Sequence, residues 1–116
     1  MLFNKTRKTK IIDGVKIADC FSKRLRGLMF TSQKKFNYAL VFPLESESRM
    51  NASIHMLFVF FPIDVLWLDR NKKVVDKREA LQPFALHAVP KKPAKYIVEL
   101  PAGKAKGTCV GHELAW

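Results

Sequence analysis

Residues 53–69, SIHMLFVFFPIDVLWLD, are almost wholly apolar yet carry one histidine and two acids. A run of this kind must be buried, so each ionisable group inside it needs a polar partner or belongs to a site. Phe61-Pro62 forces an extended or turning backbone in the middle. The run therefore reads as two core strands, residues 54–60 and 65–68. Its longest unbroken apolar stretch, residues 56–63, is far short of the roughly 20 residues that span a bilayer. Residues 1–10 alternate apolar and basic side chains and lack the hydrophobic segment of a secretory signal. A soluble cytoplasmic protein with no membrane partner is expected.

The 116 residues suffice for one domain, residues 1–116, with a genuine core. Nearly half of them are hydrophobic, which excludes a chain disordered throughout. Cys20 and Cys109 are the only cysteines, and a cytosolic chain with a good core has no need to bridge them. Two reduced, mostly buried thiols are expected. Charge is the extreme: 21 Lys and Arg against 10 Asp and Glu give +11. Such a surface attracts polyanions, so weak nucleic-acid contact is a possible partnership. The basic residues are scattered through turns and strand edges, where lysine also discourages edge-to-edge pairing.

Along the chain, residues 1–6 and 15–18 read as short strands flanking Asp13-Gly14, a pair suited to a hairpin turn. Residues 21–29 form the one helical pattern, with Phe21, Leu25 and Leu28 in a stripe. Residues 38–42 are a buried strand ended by Pro43, and residues 45–52 a polar loop. A ribbon over residues 74–80 follows the turn at 70–73, and a long connection spans 82–93. Strands over residues 96–100 and 108–114 complete the chain. Seven or eight short strands with one helix give a mostly β, α+β fold: a small, largely antiparallel barrel or roll.

Arg24-Leu25-Arg26-Gly27-Leu28-Met29, Ser53-Ile54-His55-Met56 leading to Pro62-Ile63-Asp64, and Glu99-Leu100-Pro101-Ala102-Gly103 occur in that order. Together they resemble the family catalogued as domain of unknown function 192, across about residues 17–114. The resemblance implies a small β-rich fold with no established activity. Two features depart from its pattern. Leu57, Phe58 and Val59 stand where many bacterial members have Lys-Asn-Thr, and Gly111-His112 stands where Gly-Asp is usual. A site built on those groups in relatives would be largely missing from this chain.

Asp64 faces the same way as Leu66 and Leu68 in the expected strand. A carboxylate there needs a partner, and Arg26, His55 or a free N–H of the following turn are the candidates. A general acid or base is the sharp reading; an acid tying a turn or helix to the sheet is the plain one. His55 in an apolar strand reads as a satisfied core histidine. Arg24 and Arg26 suit a phosphate or acidic partner, or a pairing of one of them with Asp64 or Glu99. Glu99 shares a face with Lys95 and Ile97, which fits a cross-strand ion pair. Met29, Met50 and Met56 read as core filler. Cys109-x-x-His112 is half a metal site, for which Cys20 and His87 stand alone as partners. No nucleophile, zinc-helix or phosphate-loop motif occurs.

The expectation is thus a module of unknown ligand that binds a partner or small molecule without catalysis, cofactor or metal. Its candidate polar cluster is Arg24, Arg26, His55, Asp64 and Glu99. The alternatives are a basic nucleic-acid-binding protein and an enzyme using Arg26, His55 and Asp64.

Overall fold

The computed structural model describes residues 1–19, 27–29, 31–56, 59–85 and 88–116. Eight strands form two sheets: β1 Leu2–Asn4, β2 Thr9–Ile12, β3 Gly14–Ile17, β4 Tyr38–Ser48, β5 Ile63–Leu68, β6 Val74–Leu81, β7 Ala94–Pro101 and β8 Leu114–Ala115. The larger sheet has the order β3-β4-β7-β5-β6 and the smaller the order β2-β1-β8. All pairings are antiparallel except β3 with β4. The fold is mostly β, as expected, but both sheets keep open edges instead of closing as a barrel. The expected helix falls mainly outside the described residues; Gly27, Leu28 and Met29 form a turn.

Strand β5 is buried along its whole length, and its neighbour β7 is buried at four consecutive residues from Ile97. Side chains alternate across a strand, so both faces of this sheet must be covered. On one face Val41, Leu66, Leu68, Val98 and Leu100 meet Leu2, Ile12 and Leu114 of the smaller sheet. On the other, Leu40, Phe42, Val65, Trp67 and Ile97 are covered by irregular chain, including Leu28, Phe36, Met56, Val59 and Phe61.

Several local expectations give way to tertiary context. Asp13-Gly14 is no hairpin turn: β1 pairs with β2, and the chain then crosses into the larger sheet as β3, alongside β4. Pro43 does not end its strand. Beyond Val41, β4 no longer has β3 at its side, so an N–H missing at Pro43 breaks no ladder there. The polar residues Glu45 to Ser48 continue the same strand through an irregular register. Of the strand expected over residues 54–60, the described residues form only an isolated bridge at Ile54. Ile54, Met56 and Val59 serve as cover, pinned by a bridge between Ile54 and Ala88 and by Met56 N–H donating to the Ala85 carbonyl. The last strand is only two residues long, and most of 108–114 lies outside any strand. Met56 is core, but Met50 is 71% exposed.

Asp64 is 1% exposed, on the face of Leu66 and Leu68 as its position in the run predicts. Its partners are backbone amides. Oδ1 accepts from Ala80 N–H, and Oδ2 from the N–H groups of Gly103 and Ala105, each at 2.9 Å. Ala80 sits at a register irregularity of β6 with φ 52°, and Gly103 takes φ 95° in the Pro101–Ala105 turn. One carboxylate thus holds a strained residue of β6 and the glycine turn after β7 against β5. Replacing Asp64 with Ala leaves three amides without their acceptor. At about 1–3 kcal/mol for each unsatisfied buried group, a loss of about 3 kcal/mol or more is expected in chemical denaturation. A loss below about 1 kcal/mol would contradict this role.

Candidate functional site

Irregular cover does not interdigitate with a pleated sheet as a second sheet does, and a cavity of about 440 Å³ remains above the larger sheet. Its floor comes from β4 and β7: Phe42, Leu44, Ile97 and Glu99. Ser53, Ile54, His55, Met56 and Val59 form one wall, with Asn51 nearby. Gly27, Leu28 and Met29 close another side, and Glu45 stands where β4 leaves the covered region. The wall holds its shape through main-chain bonds. Trp67 Nε1–H donates to the Ala52 carbonyl at 2.8 Å, Phe84 N–H to the Met56 carbonyl, and Val59 N–H to the same carbonyl. Phe84 has φ 62°, a conformation unusual for a bulky side chain, and its ring meets Phe60 edge-on at 5.4 Å.

Glu99 is the distinctive group. It lies in register between Leu40 of β4 and Val65 of β5, so no base stands opposite it on either neighbour. It is 6% exposed, and among the described residues none forms a hydrogen bond or ion pair with it. Among the described residues no fully enclosed side-chain oxygen or nitrogen lacks a partner, so its carboxyl oxygens open onto the cavity it lines. Removal from water disfavours the charged form, and burial alone pushes the carboxyl up to about 8. At neutral pH the floor of the cavity is therefore a protonated acid, able both to donate and to accept a hydrogen bond.

The sequence-derived cluster divides accordingly. His55 and Glu99 line the cavity; His55 is exposed at its wall, not enclosed in a strand. Asp64, whose register partner is Leu100, faces the opposite side of the sheet. Arg24 and Arg26 lie outside the described residues, as do Cys20 and His87. Lys95 shares Glu99's strand but forms no ion pair with it. Cys109 is exposed, not buried, and its N–H donates to His112 Nδ1 at 3.1 Å. That nitrogen also meets Asn4 Nδ2, which bonds Thr108 Oγ1 in a buried polar knot the sequence did not reveal. Among the described residues no three His, Cys, Asp or Glu side chains gather to hold a metal.

An acid that is neutral in the folded protein but ionised in the unfolded chain makes stability fall with pH. The folded state binds the extra proton between about 4.5 and 8. Over that window this group costs up to about 1.4 kcal/mol per pH unit, and outside it contributes no slope. In denaturation followed from pH 5 to 9, wild-type protein should lose a few kcal/mol relative to Glu99→Gln. Parallel curves for the two proteins would refute the assignment.

The fold is shared with known proteins. A solved structure from Sinorhizobium meliloti, described as a putative transcription regulator, superposes with a TM-score of 0.84 at 24% identity, covering 98% of this chain and 88% of the other. One of unknown function from Novosphingobium aromaticivorans gives 0.79 at 18% identity, covering 88% and 74%. At these identities the likeness is one of fold. Sequence relatives are closer. A UPF0127 protein of Thermococcus sibiricus is 49% identical over 118 residues, covering 100% of this chain and 74% of the relative. One of Pyrococcus furiosus is 46% identical over 117 residues, covering 99% and 97%. The model of the family described as "Uncharacterized ACR, COG1430" matches residues 2–116, and the chain belongs to that family, domain of unknown function 192.

Proposed function

We propose that this protein is a cytoplasmic binding module whose cavity above β4 and β7 takes a small, largely apolar molecule without transforming it. The observation that carries the reading is Glu99: a buried carboxyl, unpartnered among the described residues, on the floor of an apolar cavity. A buried polar group lacking a partner costs stability that a ligand's polar atom would recover. The cavity volume suits a molecule of modest size, and each methylene it buries contributes about 0.8 kcal/mol. The absence of catalysis rests on Asp64. Its carboxylate is engaged with three amides on the far side of the sheet from His55, so those two groups do not act on one substrate. Among the described residues no helix is long and apolar enough to cross a membrane, which is compatible with the proposed location.

A fragment panel followed by amide NMR is the direct test. Saturable shifts should cluster at Ile54, Met56, Ile97 and Glu99 and disappear in Ser53→Trp, which puts an indole into the cavity from its wall. Saturable turnover of any fragment would overturn the non-catalytic part.

The surface supports a second, independent reading: weak contact with polyanions. Beyond the net charge of +11, Lys72 Nζ stands 3.9 Å over the Trp116 ring, and Tyr96 packs edge-on against Trp116 with Lys95 beside it. Half-exposed rings among lysines are what a flexible polyanion with stacking bases engages. If about four phosphates are contacted, oligonucleotide affinity should drop about a hundredfold between about 50 and 200 mM salt. Absence of binding at low salt would remove this reading.

A further inference from the structure

We infer that the ligand of this cavity is a small amphiphilic cation, a hydrocarbon body bearing a protonated nitrogen that seats against the Glu99 carboxyl. The inference rests on the reading of the cavity as a ligand site and names the chemistry of what fills it.

The charge pattern of the wall argues for it. Basic residues outnumber acids by 21 to 10 over the chain, yet the described wall carries two carboxyls, Glu45 and Glu99, and no lysine or arginine. Its other polar side chains are Asn51, Ser53 and His55. A net charge of +11 repels cations from the protein at large, whereas the charge-bearing groups of the described wall other than His55 are acids. The remainder of the lining is hydrocarbon and sulfur: Leu28, Met29, Phe42, Leu44, Met56 and Ile97 among them. A cationic head with an apolar body matches both parts.

Glu99 makes the preference conditional on protonation. In the empty cavity burial keeps the carboxyl protonated near neutral pH. An ammonium group arriving within hydrogen-bond distance supplies the counter-charge that the buried carboxylate lacks. Glu99 then loses its proton to bulk solvent, and a carboxylate–ammonium pair forms in its place. A neutral ligand would accept a hydrogen bond from the protonated acid and release nothing. A carboxylate ligand would add a third acid to the two present. Besides Glu45 from β4, the charged or titratable group facing Glu99 across the described cavity is His55, from the segment after Ser53.

Hexylamine, hexanol and hexanoate, which share one hydrocarbon body, separate these cases by isothermal titration calorimetry. At pH 7 hexylamine should bind at least tenfold more tightly than hexanol, with hexanoate weakest. Titrations in two buffers of different ionisation enthalpy should show close to one proton released per amine and none per alcohol. Amine affinity should rise about tenfold from pH 6 to 7 and level off above about 8. In Glu99→Gln the preference, the proton release and the pH slope should vanish while hexanol still binds. In His55→Gln all three should persist, which assigns the titration to Glu99. Should Glu99→Gln fail to fold, the wild-type buffer comparison decides alone. Hexanol equal to or tighter than hexylamine, or amine binding without proton release, overturns the cationic ligand and leaves the cavity as a neutral site. Failure of all three to bind overturns the cavity reading and this inference with it.

Discussion

A strand pair buried on both faces sets the terms for the rest of this molecule. Strand β5 is enclosed along its whole length and β7 over its centre, so a chain of 116 residues must supply two covering layers. One is a regular layer: β1, β2 and β8 lay Leu2, Ile12 and Leu114 against Leu66, Val98 and Leu100. The other is built from turns and extended segments around Leu28, Phe36, Met56 and Phe61. Regular cover follows the sheet's own spacing and leaves little void, whereas irregular cover is pinned at a few main-chain bonds and bridges over the gaps between them. The cavity above Phe42 and Ile97 is a consequence of that asymmetry.

The same asymmetry decides the fate of two acids on neighbouring strands. Asp64 faces the regular layer, where the turn after β7 and the irregular end of β6 bring three N–H groups to its two oxygens. There it stays put as architecture. Glu99 pairs in register with Val65, one position along from Asp64's partner Leu100, and so points the other way. On that side the cover presents no described donor to it, and the carboxyl meets a cavity. The burial is comparable, but the covering chain differs. The motif stretches divide along the same line: Pro62-Ile63-Asp64 and Pro101-Ala102-Gly103 form one hydrogen-bonded corner. Gly27-Leu28-Met29, Ser53-Ile54-His55-Met56 and Glu99 converge on the cavity.

What could be read from the sequence follows from what local pattern encodes. The apolar density of residues 65–68 and 96–100 and the prolines nearby announce core strands, and period-two alternation puts Asp64 on the face where it is found. Pattern cannot distinguish a strand from an extended covering segment of the same composition, and Ile54, Met56 and Val59 belong to the second kind. Their burial was legible, their hydrogen bonding was not, and His55 came out at the surface because the covering segment has an outside. Pro43 misleads because the cost of a proline depends on whether a neighbour sits on its N–H side, which is a fact of topology. Cys109 and Met50 show that an apolar side chain in a short chain need not be core. Glu99 had a readable signal: an acid inside a strand apolar enough to be buried on both faces. The cross-strand ion pair expected for it needs a base opposite, and its register partners are Leu40 and Val65. Lys95 stands two register positions beyond Ile97, over the half-exposed part of β7.

A buried acid without a partner among the described residues is an unstable compromise for a protein to keep. Gln at the same place would remove the ionisation cost and keep the hydrogen-bonding capacity, while Leu or Met would fill the space with apolar contacts. Both are small changes, and both would raise stability at neutral pH and above. Glutamate gains an advantage only in a state where its negative charge is stabilised. In the empty protein that state is disfavoured by burial, and no described side chain supplies the compensation. On the reading of the cavity as a ligand site, a positive charge that enters through the cavity lined by the carboxyl would supply it. The cost of Glu99 in the free protein and the selectivity of the cavity are then two sides of one interaction. The free state is penalised by the same desolvation that makes a positive charge at that position count for more than it would in water.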